Sequence, residues 1–128
     1  EMQVLLIRRG EGLAGSGAWS LPGGFVDHDE DVRTATSREL HEETGLVGTP
    51  THVIDVRTSF DDPHKPTIVV WFAVEVNGGT LRAGDDATDA AWIDLGDLPP
   101  LAFDGDTELL TRITQGSLAY PRLADDQD

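Results

Sequence analysis

The chain has 128 residues, 38% of them apolar and 6% aromatic, which suits one domain of ordinary size around a single core. Nine basic against 24 acidic residues leave a formal charge of −15. That balance argues against holding nucleic acid through a basic surface and against docking on anionic lipid. A phosphate-bearing substrate would need its charge offset by something other than side-chain cations, and a divalent metal is the first candidate. There is no cysteine, hence no disulfide framework, thiolate metal site or cysteine nucleophile, which suits a reducing cytoplasm. No apolar run reaches the ~18–20 residues that span a bilayer. The sequence opens on Glu1 and runs straight into the apolar stretch Met2–Ile7, from which a missing piece of the native N-terminus is expected.

In chain order, Met2–Arg9 reads as a strand and Gly10–Gly17 as a flexible loop. Trp19–Gly24 is a short extended piece ending in a turn, and Trp19 is the tryptophan expected to border a site. Asp27–Glu43 reads as a helix, with Asp27 or Asp29 as N-cap and Val32, Ala35 and Leu40 facing inward. Gly45 stands where a left-handed residue ends a helix. His52–Phe60 and Thr67–Val76 read as strands around the loop Asp61–Pro66. Asn77–Gly79 is expected to turn into a short strand at Thr80–Arg82, followed by an acidic loop, Gly84–Asp89, and a strand at Ala91–Leu95. Asp104–Ile113 reads as a second helix capped by Asp106 or Thr107, with Leu109, Leu110 and Ile113 inward and Gly116 beyond its end. Leu123–Asp128 is expected to be an acidic tail. With no internal repeat and no linker, residues 1–128 read as one domain mixing helices and strands.

Glu39, Glu42 and Glu43 are spaced by three and four residues, which on a helix stacks their carboxylates within one sector over about one turn. Like charges there repel, and they sit near the helix C-terminus, where the dipole disfavours anions. An acidic protein can carry such a row as a solvated face. The alternative is an oxygen-rich site for a hard divalent cation. His28, His41, His52 and His64 have no metal-ligand spacing among themselves and read as surface residues.

The residues flanking this row narrow the choice. Gly24, then Glu30 after five residues, then after seven more Arg38-Glu39-Leu40-His41-Glu42-Glu43-Thr44-Gly45-Leu46, match every position of the Nudix box. Seven fixed residues at usual frequencies of about 5–7% each match by chance in roughly one chain in a million or fewer. The preceding Leu21-Pro22-Gly23-Gly24-Phe25-Val26 also resembles the family's lead-in. The resemblance implies an α+β Nudix fold, a mixed sheet sandwiched between helices, with the box forming a loop–helix–loop. It further implies hydrolysis of a nucleoside diphosphate linked to another moiety, with Mg²⁺ or Mn²⁺. On that resemblance Glu39, Glu42 and Glu43, with the Gly23 carbonyl, are the expected metal ligands. Glu39 or Glu43 is the expected proton acceptor, Arg38 orients a catalytic glutamate, and Glu30 supports the site. In several members a base or further ligand comes from a downstream loop, here Gly84–Asp89, with Asp86 as first choice. The family usually has another strand before the one at Met2–Arg9; part of the substrate pocket or a homodimer edge depends on it.

Beyond the box, Phe60–Pro63, Thr67–Val76 and the stretch Leu98 to Asp104 resemble the ADP-ribose pyrophosphatase-like branch. Phe60, Pro63, Asp86 and Phe103 are accordingly the expected substrate-binding residues. The substrate class this implies is ADP-ribose or a nucleoside diphosphate sugar. A MutT-like (d)NTP pyrophosphatase and a non-catalytic nucleotide sensor are the alternatives.

Overall fold

The computed structural model describes residues 2–118, so the expected acidic tail lies outside the described residues. Strand β1 (Gln3–Arg9) is the middle of a three-stranded antiparallel sheet, flanked by β2 (Trp19–Ser20) and β5 (Ala87–Asp94). Its central position explains why Leu5, Leu6 and Ile7 are buried in succession rather than alternately, since a strand covered on both faces has no wet side. A second sheet is the long antiparallel hairpin of β3 (Leu46–Ser59) and β4 (Thr67–Gly79). Among the described residues the parallel component of the expected mixed sheet is one bridge, Trp19 with Leu101.

Two helices complete the α+β arrangement. Helix α1 (Val32–Thr44) brings Leu40 against Leu5 of β1 and Leu46 of β3, with Val74 and Leu81 packed around them. Gly48 lets the helix approach β3: a Cβ there would crowd Leu40 and Val74, and the Gly48 carbonyl accepts from the Ser37 hydroxyl at 2.9 Å. Helix α2 (Asp104–Thr114) buries Leu109 and Leu110 and is tied to β3 by Arg112–Asp55 at 3.3 Å and Arg57–Glu108 at 3.0 Å. No helix among the described residues is long and apolar enough to cross a membrane.

Several boundaries differ from the sequence reading, each for a local reason. Helix α1 starts at Val32, not Asp27, and its N-cap is Asp31, whose carboxylate accepts from Arg33 N. Asp29 has φ 62°, which no right-handed helix accommodates, and the Asp27 N–H is taken by Glu30. Val32, now in the first turn, is exposed rather than inward. At the other end Gly45 does adopt the left-handed conformation, φ 76°. Because one residue suffices to redirect the chain, β3 begins at once at Leu46 instead of His52. Buried Thr44 spans the junction, donating to Leu40 O at 2.6 Å and accepting from Leu46 N at 3.2 Å. Pro50 is accommodated at a register shift of β3, where its missing N–H breaks no regular ladder.

Early entry into β3 lengthens its partner. Gly78 and Gly79 pair with Val47 and Leu46, so Asn77–Gly79 is strand rather than turn, and Thr80–Arg82 is not a strand. Strand β5 starts at Ala87, opposite Arg9, four residues before the expected Ala91. Helix α2 falls where expected, but Phe103 occupies its N-cap with no side-chain hydrogen bond; Asp106 is buried and bonds elsewhere. Truncating Leu6, which is fully buried, should lower stability by about 3 kcal/mol in Leu6→Ala. Urea unfolding of the two proteins checks this.

Candidate active site

Helix α1 carries Glu39, Glu42 and Glu43, and the segment Leu21–Glu30 folds back over them. Gly23 donates its N–H to Glu43 Oε1 at 2.8 Å. Gly24 lies so close to the Glu39 carboxylate that a Cβ would overlap it; glycine is the residue that fits. The lead-in is itself anchored, by Trp19 N to Pro100 O at 3.1 Å, Ala102 N to Trp19 O at 2.8 Å, and Leu21 N to the Asp106 carboxylate at 3.0 Å. The three connections join the glycine turn to α2 and the chain before it.

Arg38 organises the acidic side of the site. Its Nε and Nη2 grip Glu30 in a bidentate pair at 2.8 and 2.9 Å. Nη2 also donates to Phe25 O at 3.1 Å, while Nη1 donates to Glu42 Oε1 at 3.0 Å and lies 3.7 Å from Glu39 Oε2. Asp27 is 3.6 Å away. One guanidinium therefore faces four carboxylates and a carbonyl. The consequence for Glu30 is large: the hydrogen bonds from Arg38 and then from Asp27 N hold its carboxyl down to about 2.

The row itself is short of positive charge. Burial pushes the Glu43 carboxyl up to about 7, against the pull of the Gly23 N–H, with Glu39 and Asp85 adding repulsion and Arg9 opposing it. Burial also raises Glu39, with Arg38 pulling down and Glu42, Asp85 and Asp27 pushing up. Among the described residues no three side chains of ligating type converge into a ready cage, because Glu42 is turned to Arg38 and Glu43 to Gly23. The donor set nevertheless fits a hard divalent cation: carboxylate oxygens on one helix face, two of them destabilised as anions by burial and by each other.

The expected site residues divide into four groups. Gly23, Arg38, Glu39, Glu42 and Glu43 are brought together. The Arg82–Asp86 loop sits on the end of α1, through Arg82 N to Thr44 O at 2.9 Å and Gly84 N to Glu43 O at 3.1 Å. Within it Asp85 stands at φ 52° and its charge adds to the rise of the Glu39 and Glu43 carboxyls, while the backbone carbonyl of the expected Asp86 accepts from Gly10 N at 3.0 Å. Phe103 is half-buried under the Arg9 guanidinium, 4.7 Å from the ring centroid. Phe60 and Pro63 are exposed at the β3–β4 connection, with no hydrogen bond to the carboxylates.

Sequence reasoning missed Arg9, Asp85 and Asp106. Asp106 looked like a helix cap, yet it accepts from Leu21 N at 3.0 Å, while burial raises its carboxyl. No sequence spacing links residues 21 and 106.

A folded-state value of about 7 against 4.5 for an ordinary glutamate means that Glu43 favours folding below about pH 4.5, an effect lost as pH rises through about 7. Thermal midpoints of the metal-free protein should therefore fall between pH 5 and pH 8, and fall less in Glu43→Gln. Parallel curves would mean that the buried carboxyl is already charged at pH 5. Gly24→Ala should displace the Glu39 carboxylate and cut turnover by ~10-fold or more with little loss of stability.

Comparison with known proteins matches a NUDIX domain over residues 1–113. An ADP-ribose pyrophosphatase of Methanocaldococcus jannaschii is 45% identical over 103 residues, 80% of this chain and 60% of that one. An 8-oxo-(d)GTP phosphatase of Mycolicibacterium smegmatis is 28% identical over 76% of this chain and 30% of its own length. The chain thus spans 60% and 30% of the length of these two relatives. Among solved structures, a MutT NUDIX hydrolase from Burkholderia pseudomallei superposes with TM-score 0.75 at 27% identity, covering 87% of this chain and 88% of that one. The NUDIX domain of Shewanella oneidensis NrtR, complexed with ADP ribose, gives 0.74 at 26% identity over 90% and 77%. With the complete box, the glycine turn closed on its glutamates and a family match across most of its length, the chain belongs to the Nudix family.

Proposed function

We propose that the protein is a metal-dependent hydrolase that cleaves the diphosphate linkage of a nucleoside diphosphate derivative, ADP-ribose or a nucleoside diphosphate sugar. The observation that carries the reading is the glutamate row of α1 closed over by Gly23 and Gly24. The 45% identity to an ADP-ribose pyrophosphatase supports the substrate, as does the ADP ribose bound in a related NUDIX domain. The cysteine-free composition suits work in a reducing cytoplasm.

Glu39, Glu42 and Glu43, with the Gly23 carbonyl, would hold the Mg²⁺ or Mn²⁺. When bound, such an ion polarises phosphoryl oxygens and lowers the pKa of its water. Arg38 keeps Glu42 and Glu39 oriented while its fork on Glu30 holds the overlying segment in place. Gly23 fixes one oxygen of Glu43, and Glu39 or Glu43 would take the proton from the attacking water. The loop carboxylates Asp85 and Asp86 would supply further negative oxygens at the end of α1. A second reading, a MutT-like enzyme releasing pyrophosphate from a (d)NTP, draws support from a 30% identical MutT-like protein of Streptomyces ambofaciens, matched over 71% of this chain and 54% of that protein.

Activity should vanish in EDTA and return with Mg²⁺ or Mn²⁺; undiminished turnover in chelator sinks the metal assignment. Glu42→Gln and Glu43→Gln should each lower kcat by ~10²-fold or more without loss of fold. Near wild-type rates in both would make the row a solvated face. ADP-ribose should have a higher kcat/KM than any triphosphate, because an extended ligand is held at both ends of the scissile linkage. Initial rates on ADP-ribose, dGTP and 8-oxo-dGTP at equal Mg²⁺ decide this, and a tenfold preference for either triphosphate selects the second reading.

A further inference from the structure

Asp106 is the one charged residue among the described residues that is buried, at 7% exposure. Burial pushes its carboxyl up, with Asp61 adding to the rise, while the Leu21 N–H and Arg9 pull it down. A carboxylate in such a place costs stability unless its contacts offset the lost hydration, and nothing in the proposed chemistry uses it. As the third residue of α2 it could accept from the N–H of Phe103 at the N-cap, the usual partner of an acid at that position. It reaches instead to Leu21 N, 85 residues earlier in the chain, at 3.0 Å.

The covalent neighbours of Leu21 make this contact consequential. Ser20 is buried and paired with Ile7 of β1, so the lead-in is fixed as far as the end of β2. Gly23, two residues beyond Leu21, donates to Glu43, and its carbonyl is among the proposed metal ligands. Between Leu21 and Gly23 stands Pro22, which has no N–H. The Leu21 N–H is therefore the last backbone donor by which the fold can hold the lead-in before the glycine turn, and Asp106 takes it. Pro22 also locks its own φ near about −65°, so an anchor at Leu21 is passed stiffly to Gly23. The other end of the anchor is equally firm. Gly105 lies against the Trp71 ring of β4, where a Cβ would be in contact, and α2 is joined to β3 by Arg112–Asp55 and Arg57–Glu108. Helix α2 thus connects the β3–β4 sheet to the glycine turn.

We propose that Asp106 is a positioning residue for the hydrolase site: by holding Leu21 N it sets Gly23 over the glutamate row, and so fixes the geometry of Glu43 and of the Gly23 carbonyl. It acts on the reaction only through the turn and touches neither substrate nor metal. The inference rests on the metal-dependent reading of the row given above.

Three variants of the whole chain test it. Asp106→Leu keeps the bulk and removes the acceptor, Asp106→Asn keeps an acceptor oxygen without the charge, and Leu21→Pro removes the donor. Asp106→Leu should lower kcat by ~10-fold or more with KM little changed, because the turn and the glutamates under it are displaced. Mn²⁺ binding, titrated by its paramagnetic resonance signal, should weaken by about 10-fold. In the metal-free protein, amide exchange followed by NMR should show Gly23 losing its protection while the amides of β1 keep theirs. Leu21→Pro should do the same, and the double variant should be no worse than either single one. Asp106→Asn should restore Gly23 protection, Mn²⁺ affinity and most of kcat. A purely structural Asp106 would lower the thermal midpoint and leave these readouts unmoved. Undiminished kcat or undiminished Gly23 protection in a folded Asp106→Leu overturns the proposal, as does a folded Asp106→Asn as impaired as Asp106→Leu. A native Gly23 amide that exchanges freely overturns it too. Should Asp106→Leu not fold, Leu21→Pro is judged by the same readouts; if neither folds, the contact serves global stability and the proposal falls. A native protein that neither binds Mn²⁺ nor turns over ADP-ribose, dGTP or 8-oxo-dGTP refutes the metal-dependent reading, and Gly23 protection then judges Asp106 on its own.

Discussion

The bidentate pair between Arg38 and Glu30 holds the site in the form described. Glu30 lies outside α1, at the end of a segment that begins in the glycine turn, and Arg38 lies in the middle of the helix. Closing that pair brings the segment back across the helix face, so that Gly23 meets Glu43 and Gly24 meets Glu39. The pair is charge-assisted, doubly bonded and only partly wet, with the Glu30 side chain 12% exposed. Such pairs hold geometry better than exposed single contacts do. The start of α1 follows from the same contact: Glu30 is committed to Arg38 and Asp27 N, so the helix begins only after it, at Val32.

The second constraint is electrostatic. A helix presenting three glutamates, with Asp85 beside it, concentrates negative charge that the chain's few cations only partly answer. Arg38 serves the outer edge, through Glu42 and Glu39. Glu43 is left to a backbone N–H and the more distant Arg9, and burial drives its carboxyl towards neutrality. The imbalance is a cost to the free protein, and a divalent cation is the simplest species that removes it. Stability and function pull in opposite directions along this face, as happens where like charges are assembled for chemistry rather than for folding.

The box residues are legible from spacing because helix geometry converts spacing directly into a shared face: Glu39, Glu42 and Glu43 needed no tertiary information. Gly45 was equally legible, since a left-handed residue at a helix end is a local requirement. The errors were made where local chemistry has two solutions. Asp27, Asp29 and Asp31 are all competent caps, and only the competing bond of Glu30 selects Asp31. Asn77–Gly79 has turn composition, yet pairing with Leu46 and Val47 draws it into β4.

What the sequence determined alone was the family, the order of helices and strands apart from the strand expected at Thr80–Arg82, and the residues of the glutamate row with their glycine turn, because each depends on periodicity or on short-range backbone geometry. The tertiary structure decided which distant groups share the site. The charge of Asp85 adds to that of the glutamates, Asp106 binds the lead-in instead of capping its helix, and Arg9 lies on Phe103. These choices bring together residues more than 40 positions apart in the chain, from 9 to 103 and from 21 to 106. Such contacts are set by how β1, α1 and α2 pack, and no spacing along the sequence encodes them.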